Sequence, residues 1–266
     1  LWKGQNLRDK SILLHSEQGF GDTIQFIRYV TFLANQKPKA VYLETHKPLI
    51  TLLQAMPEID KIFNRGEKLP KSDYHIPLMS LPHRFKTTLS TIPKTTPYLT
   101  TKKNSSYDFK DNNKKKNIKI GIAWAGRKTH KNDRNRSIPL DLCVPFLQNP
   151  NVQFYGLQLD RAEDYKSNSA YIIDLSTYLT DFAATGSILR KLDLVITVDT
   201  ALAHLAGSLG IKCWVMLPFA PDWRWLLDKD NTPWYSSITL FRQKRLNNWE
   251  SVVEHIASAL KNFHLQ

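Results

Sequence analysis

Three short segments of this chain hold residue types that chemistry needs, at positions where a fold can use them. Gly19-Phe20-Gly21-Asp22 follows the apolar run Ser11-Ile12-Leu13-Leu14-His15 and precedes a stretch with apolar residues at helical spacing. A carboxylate at such a turn stands at the carboxyl end of a strand, facing the place where open α/β sheets hold ligands, and can act there as a general base. The loop around it comprises Glu17, Gln18, Gly19 and Gly21. The plain alternative is structural: two glycines make a tight turn and Asp22 caps a helix. The glycine pair also begins a dinucleotide fingerprint. Ile24 stands where that fingerprint needs its third glycine, and Glu44 is only a near match to its acid, so a nicotinamide reading is disfavoured.

The second segment is Trp124-Ala125-Gly126, which ends another apolar strand and is followed by Arg127, Lys128, Lys131, Arg134 and Arg136. Glycine lets backbone approach a ligand, and Arg and Lys supply charge-assisted contacts to phosphate. A solvated loop, with Asp133 paired to Arg134 or Arg136, is the competing reading. The third segment runs from Val198 to Gly207. Asp199, Thr200 and Ala201 lie where a buried strand becomes a helix, so free backbone N–H groups gather there and favour an anion. His204 follows one turn later, and Gln158, at the end of the strand over 152–157, is grouped with the same site. A capping Asp199 and a satisfied buried His204 are the structural alternative. With a basic loop opposite, phosphate binding is the better reading.

Two other segments carry less. Pro218-Phe219-Ala220-Pro221-Asp222-Trp223-Arg224-Trp225 could stack a base or sugar, but loop aromatics more often seal an interface, which is the reading slightly favoured. Asp228-Lys229-Asp230 matches a DxD metal pattern. Three-residue patterns arise readily by chance, and this one sits in a polar turn before Pro233, so no metal is inferred.

The elements that must position these residues alternate between strand and helix periods. Strands are expected over 11–15, 40–44 and 61–63, with helices over 23–35 and 48–56 and a few short elements from 68 to 99. A polar linker spans roughly 100–117. Strands then recur over 118–124, 152–157, 171–173, 193–198 and 213–217. Helices are expected over 139–147, 181–191 (capped by Thr180), 201–209 and 249–263. Such alternation implies α/β architecture with parallel sheets. It divides into an amino-terminal Rossmann-like domain, residues 1–105, and a second, residues 118–266, facing across a cleft, with the last helix packing back.

The composition fits a folded chain: 266 residues, 42% hydrophobic, 11% aromatic and 23% charged, which excludes disordered and collagen-like classes. Its two cysteines, Cys143 and Cys213, cannot build a disulfide framework or zinc site, so a reducing, cytoplasmic setting is expected. No apolar run approaches the length of a membrane span. Leu1-Trp2-Lys3-Gly4 has neither an initiator Met nor a signal segment, so the chain is expected to be part of something longer. Of the net charge of +13, residues 102–136 contribute most, with 12 basic and 3 acidic side chains. Lys114-Lys115-Lys116 belongs to the linker and the later cations to the anion loop. Charge so localised argues against nucleic-acid binding.

Together these segments resemble the ADP-heptose:lipopolysaccharide heptosyltransferase-like family, glycosyltransferase family 9, most of all the form at the carboxyl end of tetratricopeptide-repeat proteins. The resemblance rests on the stretch Leu13 to Phe26, Trp124-Ala125-Gly126 through His130 to Leu140, Asp199 to Leu205, and Leu217 to Trp225. It implies a GT-B fold of two Rossmann-like domains and a glycosyltransferase that needs no metal or other cofactor. Asp22 then matches the catalytic base. Trp124, Gly126, Lys131, Arg134, Arg136, Gln158, Asp199, Thr200, Ala201 and His204 match the donor side, without deciding which of Lys131, Arg134 and Arg136 holds the phosphates. The implied donor is an ADP-, GDP- or UDP-linked sugar, the acceptor a glycan or protein, and the missing amino-terminal part a tetratricopeptide region. The alternatives are a nucleotide-sugar-binding module without turnover and, less favoured, a nucleic-acid binder using residues 102–136.

Overall fold

The computed structural model describes residues 1–101, 105–109 and 118–263. Most of the polar linker, including Lys114, Lys115 and Lys116, lies outside the described residues.

The first part is built on β1 (Ser11–His15), α1 (Phe20–Phe26), α2 (Val30–Ala34), β2 (Ala40–Thr45), α3 (Ile50–Leu53), β3 (Lys61–Asn64), β4 (Tyr74–Pro77) and α4 (Leu81–Arg84). Its four strands form a parallel sheet in the order β3-β2-β1-β4. Ile12 and Leu14 of β1 are fully buried and sit beside Val41 and Leu43 of β2, a register that puts both strands' apolar sets on one face.

The second part comprises β5 (Ile118–Ala123), α5 (Asp133–Arg136), α6 (Leu140–Leu147), β6 (Val152–Gly156), α7 (Ala162–Ser167), β7 (Ile172–Asp174), α8 (Phe182–Leu189), β8 (Leu194–Val198), α9 (Ala201–Ser208), β9 (Cys213–Leu217), β10 (Asn231–Thr232), β11 (Tyr235–Arg242) and α10 (Glu250–Lys261). The sheet order is β10-β11-β9-β8-β5-β6-β7, parallel except for β10 against β11. Central β8 is buried along its whole length, as a strand covered on both faces must be. The amphipathic α10 lies on α6, and Val252 and Ile256 join Ile120, Ile122, Cys143 and Phe146 in one apolar cluster. Cys143 and Cys213 are both buried and free.

Several elements differ from the periodicity. The helix expected over 23–35 starts at Phe20 and breaks into a 3-10 turn at Ile27–Tyr29 before α2. It starts early because Asp22 occupies its first turn and accepts the Gly19 N–H at 2.8 Å. It breaks where the Arg28 guanidinium folds back on the Gln25 carbonyl at 2.9 Å and reaches the Trp234 carbonyl at 2.9 Å. The helix expected over 48–56 is also shorter, a 3-10 turn followed by α3. Asp181, not Thr180, caps α8, its carboxylate accepting the Ala184 N–H at 2.7 Å. Strand β4 and helix α4 are the short elements expected between 68 and 99, while strands β10 and β11 and helices α5 and α7 are additions.

The two parts are closed on each other along α1 and α9. One apolar cluster runs without a break from Ile12, Leu14 and Ile24 to Ala203, Leu205 and Val215. Buried Arg28 ties the same seam, donating to the Pro93 carbonyl at 3.2 Å and the Tyr98 hydroxyl at 3.0 Å, with its guanidinium 4.5 Å from the Tyr98 ring centre. Glycine at position 21 makes the contact possible. A Cβ there would lie 2.7 Å from His204 Cδ2 and 3.4 Å from the Ala201 Cα. Gly21→Ala is therefore expected to push α1 off α9 and cost about 1–3 kcal/mol, read as a lowered urea midpoint. An unchanged midpoint would show that the seam accommodates a methyl group.

Candidate functional site

The Asp22 turn, the α9 amino terminus, the basic loop and the aromatic loop after β9 meet at this seam. On the first side, Asp22 Oδ2 is held by the Gly19 N–H, while Oδ1 accepts a charged hydrogen bond from Arg224 Nη2. Nearby, Glu17 Oε1 accepts the Met79 N–H at 3.1 Å, and the Gln18 carbonyl lies 3.0 Å from His46 Nε2. Glu17 and Gln18 therefore shape the loop that presents Asp22.

On the second side, Thr200 caps α9, with Oγ1 accepting the Leu202 N–H at 3.3 Å. The Asp199 carbonyl accepts from Arg136 Nη1 at 2.9 Å. Arg136 also pairs with Asp133 through a 3.4 Å contact, which is the internal pairing that the structural reading expects. Gly126 is needed for this arrangement, because a Cβ there would be 2.3 Å from Asp133 Oδ1 and 2.5 Å from Arg136 Nη2. Of the three loop cations considered for phosphate, Arg136 stands on the α9 turn; Lys131 and Arg134 are exposed.

Two other residues have mainly supporting contacts. The Trp124 indole is buried in the sheet core, donating to Asp164 at 2.8 Å and meeting the Tyr165 ring edge-on. Gln158 accepts the Ala125 N–H at 3.0 Å and so holds the turn before Gly126. His204 is buried too: its Nδ1 lies 2.9 Å from the Tyr235 hydroxyl, and its ring stacks on Trp225. Burial first, then Arg224 and Arg28, pushes this imidazole down to about 3, so it is neutral near pH 7. These contacts are the satisfied buried histidine of the structural reading.

The residue that joins the two sides is Arg224, from the aromatic loop after β9. It is buried, with Nη2 on Asp22, Nη1 2.9 Å from Asp222 Oδ1 and Nε 2.6 Å from Gln25 Oε1. The aromatic loop thus seals the seam, as favoured, but also brings a guanidinium to the candidate base. Gln25 and Asp222 are equally new members of the site. The adjacency of β8 and β9 in the sheet is the signal that could have found Asp222 and Arg224, since neighbouring parallel strands deliver their following loops to one edge.

The electrostatics are those of a crowded acidic and basic cluster. The Asp199 carboxyl is pushed up to about 6, by burial first and by Asp222 next, against the pull of Trp225, Arg136 and Arg224. His130 in the basic loop is lowered by desolvation and by Arg136, with Asp133, Asp22 and Asp222 pulling the other way. The loop therefore shares one field with the Asp22 turn. Among the described residues, no three His, Cys, Asp or Glu side chains gather as a metal-binding group.

Comparison with known proteins identifies the fold. The chain superposes on a glycosyl transferase family 9 protein from Veillonella parvula with a TM-score of 0.60 at 11% identity, covering 98% of this chain and 99% of that one. It superposes on E. coli ADP-heptose LPS heptosyltransferase II with a TM-score of 0.64 at 14% identity, over 95% and 98% of the two chains. For E. coli heptosyltransferase WaaC with ADP the TM-score is 0.59 at 10% identity, over 95% and 98%. The architecture is therefore that of the heptosyltransferase structures, an α/β fold with parallel sheets. By sequence, the chain is similar to protein FlbA of Caulobacter vibrioides, 25% identical over 291 aligned positions that include 98% of this chain. It spans about half of that relative, 48% of its length. No family model matches the sequence. Among the described residues no helix is long and apolar enough to cross a membrane.

The Asp199 carboxyl yields a signed pH test. It ordinarily titrates near 3.8, so between about pH 6 and pH 4 the folded chain holds a proton that the unfolded chain releases. Its penalty on folding is thus present near neutrality and fades as the pH falls through that window. Asp199→Asn is expected to raise the melting temperature at about pH 7.5 and to lose that advantage at about pH 4.5. An equal advantage at both values would contradict a buried, ionised carboxylate.

Proposed function

We propose that this chain is a metal-independent glycosyltransferase that moves a sugar from a nucleoside-diphosphate donor to a hydroxyl of a glycan or protein acceptor. The observation carrying the reading is the convergence at one seam of a loop carboxylate, a capped helix amino terminus and two guanidiniums: Asp22, the Thr200–Ala201 turn, Arg136 and Arg224. In this reading the fold is GT-B, with Rossmann-like domains over 1–105 and 118–266 and the donor held mainly by the second. The heptosyltransferase superpositions support it, and the structure described with ADP puts ADP-linked donors first among ADP, GDP and UDP. The family assignment, the tetratricopeptide-associated form and a cytoplasmic setting belong to the same proposal.

The chemistry follows from the parts. The acceptor oxygen attacks the anomeric carbon, the bond from that carbon to the phosphate oxygen breaks, and the nucleoside diphosphate leaves with the bonding pair. The acceptor proton passes to the Asp22 carboxylate. The departing negative charge is met by the Thr200 and Ala201 backbone N–H groups, by Arg136 and by Arg224. Asp199 and His204 shape this end rather than exchange protons with substrate.

Asp22→Asn tests the reading. Asparagine serves a helix start about as well as aspartate, so a structural role predicts full activity. A base role predicts turnover lower by roughly 10²–10⁴-fold with the fold intact. Donor hydrolysis, followed by release of nucleoside diphosphate, is the measurement while the acceptor is unidentified. Hydrolysis at the unaltered rate would return Asp22 to the helix start alone. Separately, Arg136→Ala is expected to weaken nucleoside-diphosphate binding more than Lys131→Ala or Arg134→Ala, measured by calorimetry. Equal losses would place the phosphate contact elsewhere in the loop.

A further inference from the structure

Each oxygen of the candidate base already has a partner as the structure stands. Asp22 has two oxygens; Gly19 N–H takes Oδ2, and Arg224 Nη2 covers Oδ1. A hydroxyl that approaches Oδ1 to give up its proton meets a cation already in place. The guanidinium is not held by Asp22 alone. Gln25 fixes Nε at 2.6 Å and Asp222 fixes Nη1 at 2.9 Å, while the Trp223 and Phe26 rings lie 4.9 Å and 5.7 Å from its central carbon. Two corners of the fork are therefore anchored without Asp22, and Nη2 is the corner that can change partner with little movement of the rest.

The surroundings say what a competing partner would be. Arg224 lies beside the α9 turn: its neighbour Trp225 stacks on His204, and Gly21, next to its partner Asp22, packs against Ala201. Arg136 is paired there with Asp133, and Arg224 with Asp22 and Asp222, so a diphosphate arriving at the turn competes with carboxylates for the same two guanidiniums. Arginine binds phosphate and carboxylate oxygens with the same fork geometry, so one can replace the other on a single N–H.

We propose that Arg224 is a donor-responsive latch: in the free protein its Nη2 masks Asp22 Oδ1, and a bound nucleoside diphosphate takes over Nη2 and exposes that oxygen to the acceptor. The exchange makes donor binding precede base activation, and it leaves Arg224 on the diphosphate when that group departs. This rests on the glycosyl-transfer reading above, to which it adds a role and an order for Arg224.

The test is a double-mutant cycle on diphosphate affinity, which needs no acceptor. ADP, GDP and UDP are titrated by calorimetry into the full chain, and the tightest is carried through Arg224→Gln, Asp22→Asn and the double variant. Arg224→Gln is expected to weaken binding roughly tenfold or more, because a charge-assisted phosphate contact is lost. Asp22→Asn is expected to tighten binding about threefold or more, because the diphosphate no longer competes with a carboxylate for Nη2. In the double variant Asp22→Asn should make no difference. Tightening of equal size with and without Arg224 would mean simple relief of repulsion and would overturn the latch, as would an unaltered affinity in Arg224→Gln. Should Arg224→Gln melt before titration, Arg224→Lys replaces it. An ammonium carries its three N–H groups on one nitrogen and cannot span the positions that Nε, Nη1 and Nη2 occupy, so the gain from Asp22→Asn should again vanish. If the unaltered chain binds none of the three diphosphates, the glycosyl-transfer reading falls and the latch with it; binding that ignores Arg224 sinks the latch alone.

Discussion

The close approach of α1 to α9 is the constraint on which the rest of the site depends. A side chain at residue 21 would run into His204, whose ring carbon lies 2.7 Å from where a Cβ would sit. With that gap closed, residues from opposite ends of the sequence share one environment: Asp22 from the first sheet's loop, Asp199 and Thr200 from the start of α9, and Arg224 from the loop after β9. The aromatic seam around Arg28, Tyr98, Trp234 and Tyr235 reinforces the closure. His204 belongs to this closure, since it is neutral, stacked on Trp225 and bonded to Tyr235.

Within the closed seam, charge rather than shape sets the chemistry. Guanidiniums are well suited to this place because they remain charged when buried and offer several donors in a fixed plane. Arg136 spends its plane on the α9 turn and Asp133, while Arg224 divides its own among Asp22, Asp222 and Gln25. Burial pushes the Asp199 carboxyl up to about 6, so near pH 7 it remains mostly ionised, with Arg136 and Arg224 as the cations that offset its charge.

Much of the scaffold was legible because buried parallel strands write themselves as apolar runs; β1, β2, β5, β8 and β9 fall where those runs lie. Others were hidden for local reasons. Tyr235-Ser236-Ser237 opens β11 with two hydroxyls, so its alternation begins only at Ile238, and α7 buries Tyr165 alone and has no apolar stripe. Turn glycines and helix starts exposed Asp22, Gly126 and Asp199 as site candidates. Trp124 stands at the turn in the sequence, but Ile120, Ile122 and Trp124 alternate on one face and send the indole into the core. Arg224 could not be found by spacing, because its partner Asp22 lies 202 residues away and the pairing exists only after both loops reach the seam.

The central claim is that the seam is a nucleoside-diphosphate site. A crystal structure of the chain grown with ADP, GDP or UDP tests it most directly. The account predicts the diphosphate against the Thr200 and Ala201 N–H groups, with Arg136 and Arg224 as its cationic partners and Asp22 Oδ1 unmasked. A diphosphate bound away from the α9 turn, with the Asp22–Arg224 pair undisturbed, would contradict it.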